Sequence, residues 1–426
     1  MSVQKKGDNY YAVVMYRDEF GKKKYKWVLA GTSSREAERL ERKLRADMER
    51  GELVFSNKVT LKSFMEEWMD TAIKPKKRPS TVAFYQYHVD AICKEIGNVD
   101  LDKLTPLRVE KWLNKQEESG LSSTTIHGRF GTLKTALKKA VQWRSIIHNP
   151  CEAIEAPSKN RPKNATLTPD EAEHLMDLLQ NSEIYLPTII GIQCALRRGE
   201  VCGLRWQDID LKNKKAFIKH SLDRMDVETA PREEKKGNVI PIWETTTEKS
   251  KTVLTLGKVK TDESENFISL PNVVLNLLKK EKLVQKQNKL SLGPAYHDVD
   301  FVWSKTNGLP QDPDHLYHAF TKMIKRHNSV IEIIQKCDKL TAEQKKHHQC
   351  LPLVRFHDLR HTHATLLLRN KVDTKVVSRQ LRHRQASFTA NYYQHVTKDM
   401  IDEPANVMDK IFGNKNIEGL EKGLEK

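Results

Sequence analysis

Long apolar runs are missing from this 426-residue chain. None approaches the roughly 20 residues that a membrane-crossing helix needs, so no membrane is expected as a partner. The opening residues, MSVQKKGDNYY, lack the apolar core of a secretory signal. Cysteine is scarce: Cys93, Cys151, Cys194, Cys202, Cys337 and Cys350 are scattered, with no CxxC pair. They read as reduced thiols in a cytoplasmic protein. The missing pair also argues against zinc around His347, His348, Cys350 and His357. Acidic residues are outnumbered, 56 against 73 Lys and Arg, leaving a formal net charge of +17. An excess of that size points to a polyanion, because basic side chains gain free energy when phosphates release their counterions. Nucleic acid is the polyanion to expect. The length implies two or three domains.

Residues 1–55 form a first unit. NYYAVVMYRDEFGKKKYKWVLAG has two aromatic and β-branched runs around a turn at Asp18 to Gly21, a hairpin signal. Ser33 and Glu36 are a capping-box pair, and Ala37, Leu40, Leu44 and Met48 keep helical spacing. Lys22, Lys23, Lys24 and Lys26 on the hairpin suit either a sheet entering a DNA groove or a solvated edge strand. Residues 59–157 read as helix throughout. Thr60 precedes the first helix. KPKKRPS is a basic turn carrying Lys76, Lys77 and Arg78, with Ser80 expected to cap the helix after it. Thr105 is an N-cap with Pro106 at N1. Ile126, Phe130, Leu133, Leu137 and Val141 share one stripe, while Lys134 and Lys138 lie off it, facing phosphate or water. Asn149–Pro150 is expected to stop that helix.

The polar, basic stretch 156–165 is a linker. A new domain, 166–402, opens at Thr168-Pro169-Asp170-Glu171 with a cap, a Pro at N1 and a Glu at N3. ALRRGE follows in a helix-like apolar context. The runs KAFIKHS, NVIPI, TVLTL and FISLP then read as strands, and helix returns from Leu316. Residues 403–426 carry a small apolar patch, Val407, Met408, Ile411 and Phe412, ahead of a charged tail.

Four segments hold chemistry: ALRRGE (195–200), KVKTDESENFISLP with Lys260, HDLRHTHAT (357–365), and LRHRQASFTANYYQH with His383 and two adjacent tyrosines. An arginine in an apolar context is expensive unless it is paired or aimed at an anion. Phe388, Tyr392 and Val396 recur on one helical face, which makes Tyr392 a packing residue. Tyr393 lies roughly 100° around the helix and is freer to enter a cleft.

In this order the four segments resemble the tyrosine recombinases, the integrases of temperate phages and conjugative transposons, over about residues 59 to 400. ALRRGE matches [GA]-L-R-x-x-E, which implies Arg197, not Arg198, as a catalytic arginine with Glu200 supporting it. KTDESENFISL is similar to K-T-x-x-S-x-R-x-I-x-L and implies Lys260, with Asn266 in place of the usual Arg; Lys235, Lys236 and Lys251 compete for that role. HDLRH gives His357 and Arg360. LRH stands where the family has L-G-H and gives His383, with Arg382 in the place of the glycine. TANYYQH fits T-x-x-x-Y-x-H and implies Tyr393 as the nucleophile.

The resemblance implies a multidomain, mainly α fold with α+β parts. Its expected members are a three-stranded sheet plus helix for arm-type DNA (1–55), a helical SAM-like core-binding domain (59–157) and a mixed α/β catalytic domain (166–402). A tail (403–426) would dock on a neighbouring subunit. It implies a homo-tetramer on double-stranded DNA with core and arm sites, an excisionase and a DNA-bending protein as helpers, and a nucleoid-associated place in the bacterial cytoplasm. No metal or other cofactor is expected. The alternatives are a type IB topoisomerase-like enzyme, which shares the chemistry, and a non-catalytic DNA-binding regulator.

Overall fold

The computed structural model describes residues 2–17, 22–49, 59–158, 165–259, 267–336 and 349–382. The chain divides into two units, Met1–Pro162 and Lys163–Lys426.

The first unit begins with β1 (Ser2–Lys6), β2 (Asn9–Arg17) and β3 (Lys23–Gly31), antiparallel in that order. Helix α1 (Ser34–Glu49) follows and packs on the sheet. Strand side chains alternate between faces. Ala12 and Val14 are buried with Ala37, whereas Tyr25, Trp27 and Leu29, two apart on β3, are exposed. Two aromatic rings of β3, Tyr25 and Trp27, therefore remain open to solvent.

The rest of this unit is helical: α2 (Leu61–Trp68), α3 (Pro79–Ile96), α4 (Pro106–Glu118) and α5 (Ser123–Gln142). Thr60 and Thr105 cap α2 and α4 by accepting from Ser63 and Arg108. Ser80 caps nothing, contrary to expectation. Pro79 takes N1, where its fixed φ suits the helix and its missing N–H needs no partner, so Ser80 falls inside α3 behind an N-cap at Arg78. Helix α5 also ends earlier than Asn149–Pro150. Arg144 turns left-handed (φ 59°), and Arg144 and Ser145 donate back to Val141 at 3.0 Å and Ala140 at 2.8 Å, a closed C-terminal motif. Asn149 instead caps the short turn Pro150–Ala153. The predicted α5 stripe joins Phe64, Trp68 and Ile92 in the core.

The second unit opens with α6 (Pro169–Leu179), whose Thr168–Glu171 capping box forms as expected. Next comes α7 (Tyr185–Gln193), YLPTIIGIQ, which is apolar nearly all round and accordingly buried at its centre. Then come α8 (Arg198–Cys202), β4 (Ile209–Asp210), β5 (Lys215–Phe217), β6 (His220–Asp226), α9 (Ala230–Lys235), β7 (Val239–Ile242), β8 (Thr252–Lys258) and β9 (Phe267–Ser269). Two antiparallel sheets result, β4-β5-β9 and β6-β8-β7. Helices α10 (Asn272–Leu292), α11 (Pro313–Gln335), α12 (Asp358–Arg369) and α13 (Thr374–Gln380) complete it. The core gathers α7 with Phe320 and Phe356, whose rings meet edge to face at 5.6 Å.

Candidate active site

The ALRRGE segment is a turn between two helices, not a continuous helix. The reason is Ala195, whose left-handed φ of 56° breaks the run after α7. Arg197 becomes the N-cap of α8 and Glu200 its N3 residue. Glu200 is 3% exposed and accepts from the Arg197 main-chain N–H at 2.9 Å and from Arg197 Nη1 at 2.7 Å. The Arg197 side chain is 41% exposed, so its head is backed by Glu200 and open in front. Arg198 goes elsewhere: it donates to Asp314 of α11 at 3.0 Å and lies over the Tyr317 ring. Glycine lets α8 sit tight on β6. A Cβ on Gly199 would strike Ser221 Oγ and lie 3.0 Å from the Leu222 carbonyl oxygen.

His357 stands at the start of α12. The first turn is fixed by Asp358, which takes Nε and Nη2 of Arg355 at 3.0 and 2.8 Å and the Arg355 main-chain N–H at 2.7 Å. Arg360, one turn on, is buried. Its Nη1 donates to the Ala195 carbonyl at 2.6 Å and its Nη2 to the Leu381 carbonyl. Burial, then the Arg360 charge, pushes the His357 pKa below its ordinary value, with Arg197 adding to the shift and Asp358 opposing it. His357 is therefore neutral near pH 7, as a proton acceptor must be. Its neighbour His361, with ring centroids 5.2 Å apart, is lowered to about 4, by burial first.

Arg382 is the residue that sequence reasoning missed. The motif marks it only as a residue standing in the place of the family's glycine, where a side chain strains a left-handed turn. It does take the left-handed conformation (φ 50°), just after α13, and its N–H donates to the Arg379 carbonyl at 2.9 Å. Its side chain, however, is 1% exposed and forms an ion pair with Glu200 through Nη2. The signal was present: a charged residue where glycine is the comfortable choice.

Arg197, Glu200, His357 and Arg360 are thus brought together. Lys260, His383 and Tyr393 lie outside the described residues, as do Tyr392 and the 403–426 tail. Of the competing lysines, Lys236 is paired with Glu233 at 2.8 Å. In the first unit Lys22, Lys23 and Lys24 are exposed at the start of β3; Lys26 is on β3, its side chain outside the description. Lys76, Lys77, Arg78 and Lys138 are exposed, while Lys134 is half-buried with Nζ 5.9 Å from the Phe130 ring centroid. Among the described residues no group of three or more His, Cys, Asp or Glu could hold a metal ion. None of the described helices is long and apolar enough to cross a membrane. Burial raises the Cys151 and Cys194 thiols to about 12, too high for a nucleophile.

Two guanidinium groups around a neutral histidine, on a mainly helical α+β unit, suit a reaction in which negative charge builds on phosphate oxygens. Comparison with known proteins gives the same class. Residues 165–400 match the phage integrase family and residues 60–116 its N-terminal SAM-like domain. The chain belongs to the phage integrase family, the tyrosine recombinases. A tyrosine recombinase XerC-like protein of Caldanaerobacter subterraneus is 25% identical over 96% of this chain and 98% of its own. The transposase of transposon Tn916 from Enterococcus faecalis is 24% identical over 90% and 88%. Among solved structures, the Tn1549 transposon integrase with a circular intermediate DNA superposes with a TM-score of 0.61 at 18% identity, covering 78% of this chain and 94% of that one. A lambda integrase tetramer on a Holliday junction superposes at 0.53 and 16%, covering 90% and 92%. The expected fold class is the one observed.

Proposed function

We propose that this chain integrates and excises a mobile element by site-specific recombination through a 3′-phosphotyrosine intermediate. The observation that supports it most is the convergence of Arg197, Arg360 and His357 at the Ala195 turn, although Arg360 and Ala195 are 165 residues apart in sequence. The Tyr393 oxygen attacks the scissile phosphorus and the P–O5′ bond breaks. A phenol is a weak nucleophile at neutral pH, with a pKa near about 10, so its proton needs an acceptor. Neutral His357 takes it. Arg197 and Arg360 stabilise the charge on the non-bridging oxygens, and His383 adds a hydrogen bond there. Lys260 protonates the departing 5′-oxygen. The phosphotyrosine conserves the bond energy, so the 5′-hydroxyl of a partner strand completes exchange without ATP. Glu200 orients Arg197.

In this reading residues 1–55 take arm-type DNA, 59–157 and 166–402 take the core site, and the tail docks on a neighbour in a tetramer that passes through a Holliday junction. Lys22–Lys24, Lys26, Lys76, Lys77, Arg78, Lys134 and Lys138 contact phosphates. An excisionase and a DNA-bending protein set direction, and the reaction takes place in the bacterial cytoplasm on nucleoid DNA.

Covalent trapping tests the reading. A nicked suicide site should yield a protein–DNA adduct with the wild type and with Tyr392→Phe, and none with Tyr393→Phe. An adduct that survives in Tyr393→Phe but vanishes in Tyr392→Phe would move the nucleophile to Tyr392.

A further inference from the structure

We infer that Arg382 is a positioning residue for Arg197, acting through Glu200; the inference rests on the phosphotyrosine reading above. Glu200 has two carboxylate oxygens and three donors. Oε1 takes Arg197 Nη1, while Oε2 takes both the Arg197 main-chain N–H and Arg382 Nη2. With Oε2 engaged, the Arg197 guanidinium is held by a single tooth. Among the described residues it has no other side-chain partner. Without Arg382, Oε2 would be open to a second N–H of Arg197. The pair would then close into a two-toothed fork, drawing the guanidinium back from the open side. Arg382 also offsets part of the Glu200 charge from behind, leaving Arg197 a stronger cation toward a phosphate.

Stability alone does not account for Arg382. Its backbone is in a conformation that favours glycine. Its Nε and Nη1 are buried without a hydrogen-bond partner among the described residues. Burying a guanidinium carries a desolvation cost that one ion pair need not repay. Its location is informative. The carbonyl of Leu381 holds Arg360, and the next side chain, Arg382, holds the carboxylate that holds Arg197. One two-residue turn, covalently joined to His383, thus supports both arginines.

The test is single-turnover cleavage of the nicked suicide DNA by the full chain, with DNA affinity and thermal unfolding measured in parallel. Arg382→Gly suits the left-handed backbone, so folding should persist. DNA affinity should stay within about twofold of wild type, a split between binding and chemistry. Cleavage should slow about 10- to 100-fold, the usual effect of losing a group that orients a reactive one. Arg382→Lys should recover part of the rate, because the tie to Glu200 is a single charge-assisted bond. Combining Glu200→Gln with Arg382→Gly should slow cleavage less than the product of the two single effects, since both act on one contact. Arg382→Gly cleavage at the wild-type rate overturns the inference. So does a parallel loss of unfolding temperature and rate that Arg382→Lys restores together, which marks a structural role only. If wild type forms no adduct, the phosphotyrosine reading fails and this inference falls with it. If wild type forms one and Tyr393→Phe does not, that reading stands whatever Arg382→Gly does.

Discussion

Arg129 in the first unit and Arg360 in the second are both buried, and their partners differ in kind. Arg129, on α5, donates to Glu95 of α3 at 3.2 Å and to Gln116 of α4 at 2.9 Å; Trp112 of α4 also donates to Glu95, at 2.8 Å. Every partner is a side chain, so the set staples three helices and can readjust as they shift. Arg360 is held by two main-chain carbonyls, Ala195 and Leu381, at the two left-handed turns of the site. A main-chain acceptor has no rotamer to change, so the backbone itself fixes the plane of this guanidinium. The staple favours one way of packing helices; the carbonyl cradle favours one direction of charge, which transition-state stabilisation requires.

Breaking each in turn gives the largest expected contrast. Arg360→Ala should slow cleavage of bound suicide DNA by about 100- to 1,000-fold or more, the scale of losing one preorganised charge donor. It should also cost about 1–3 kcal/mol in chemical unfolding, because two buried carbonyls lose their donor. Arg129→Met should cost a similar about 1–3 kcal/mol yet leave the cleavage of bound DNA unchanged. Adding Gln116→Leu to Arg129→Met should restore most of that stability, since a packed apolar set can replace a buried polar one. Glu95 stays in that double variant to accept from Trp112. If Arg129→Met slowed cleavage of bound DNA as much as Arg360→Ala, the contrast would collapse.

A smaller effect is expected where the site meets its sheet. Gly199→Ala places a methyl against Ser221 and the Leu222 carbonyl, so α8 must move off β6 and take Arg197 with it. Overpacking of this kind costs about 1–3 kcal/mol. Cleavage should slow alongside. Gly131 in α5 has nothing within 4 Å of its added Cβ. Gly131→Ala should therefore be neutral or stabilising by about 1 kcal/mol, the helix preference of Ala over Gly. Unfolding of both variants compares the two regions at a single methyl group.

How much of this was legible in sequence depends on the kind of signal. Period and caps placed α5, the Thr168–Glu171 box and the strand runs, because local hydrogen bonds and burial leave a local pattern. The motifs singled out Arg197, Glu200, His357 and Arg360, which the fold brings near one another. Other features escaped, among them helix α10 (Asn272–Leu292), since helix was expected to return only from Leu316. Ser80 looked like a cap because Ser favours that position, but Pro79 outranks it at N1. The end of α5 is set by a left-handed arginine, and Arg144 carries no glycine signal. The Arg382–Glu200 pair joins residues 182 apart, and no local pattern encodes a contact of that range.

The last contrast is in proton binding. His88, in the first unit, is lowered by burial and then by Arg129. His361 is lowered further, to about 4, by burial, then by His357, with Arg360 and Arg355 adding to the shift and Asp358 opposing it. Both histidines bind protons less readily folded than unfolded. The unfolded chain therefore holds more protons between its ordinary value of 6.5 and the folded value, and stability rises with pH across that window. It is fully present above pH 6.5 and is lost as pH falls toward about 4. Denaturant unfolding at a series of pH values should show this slope in wild type. His361→Asn should flatten it more than His88→Asn does. Cleavage adds an independent check on the same groups. The wild-type rate should decline in acid, as His357, held below its ordinary value, takes up a proton. A rate that rose on acidification would remove His357 as the proton acceptor, and a steeper stability change from His88→Asn would place the stronger proton linkage in the helical unit.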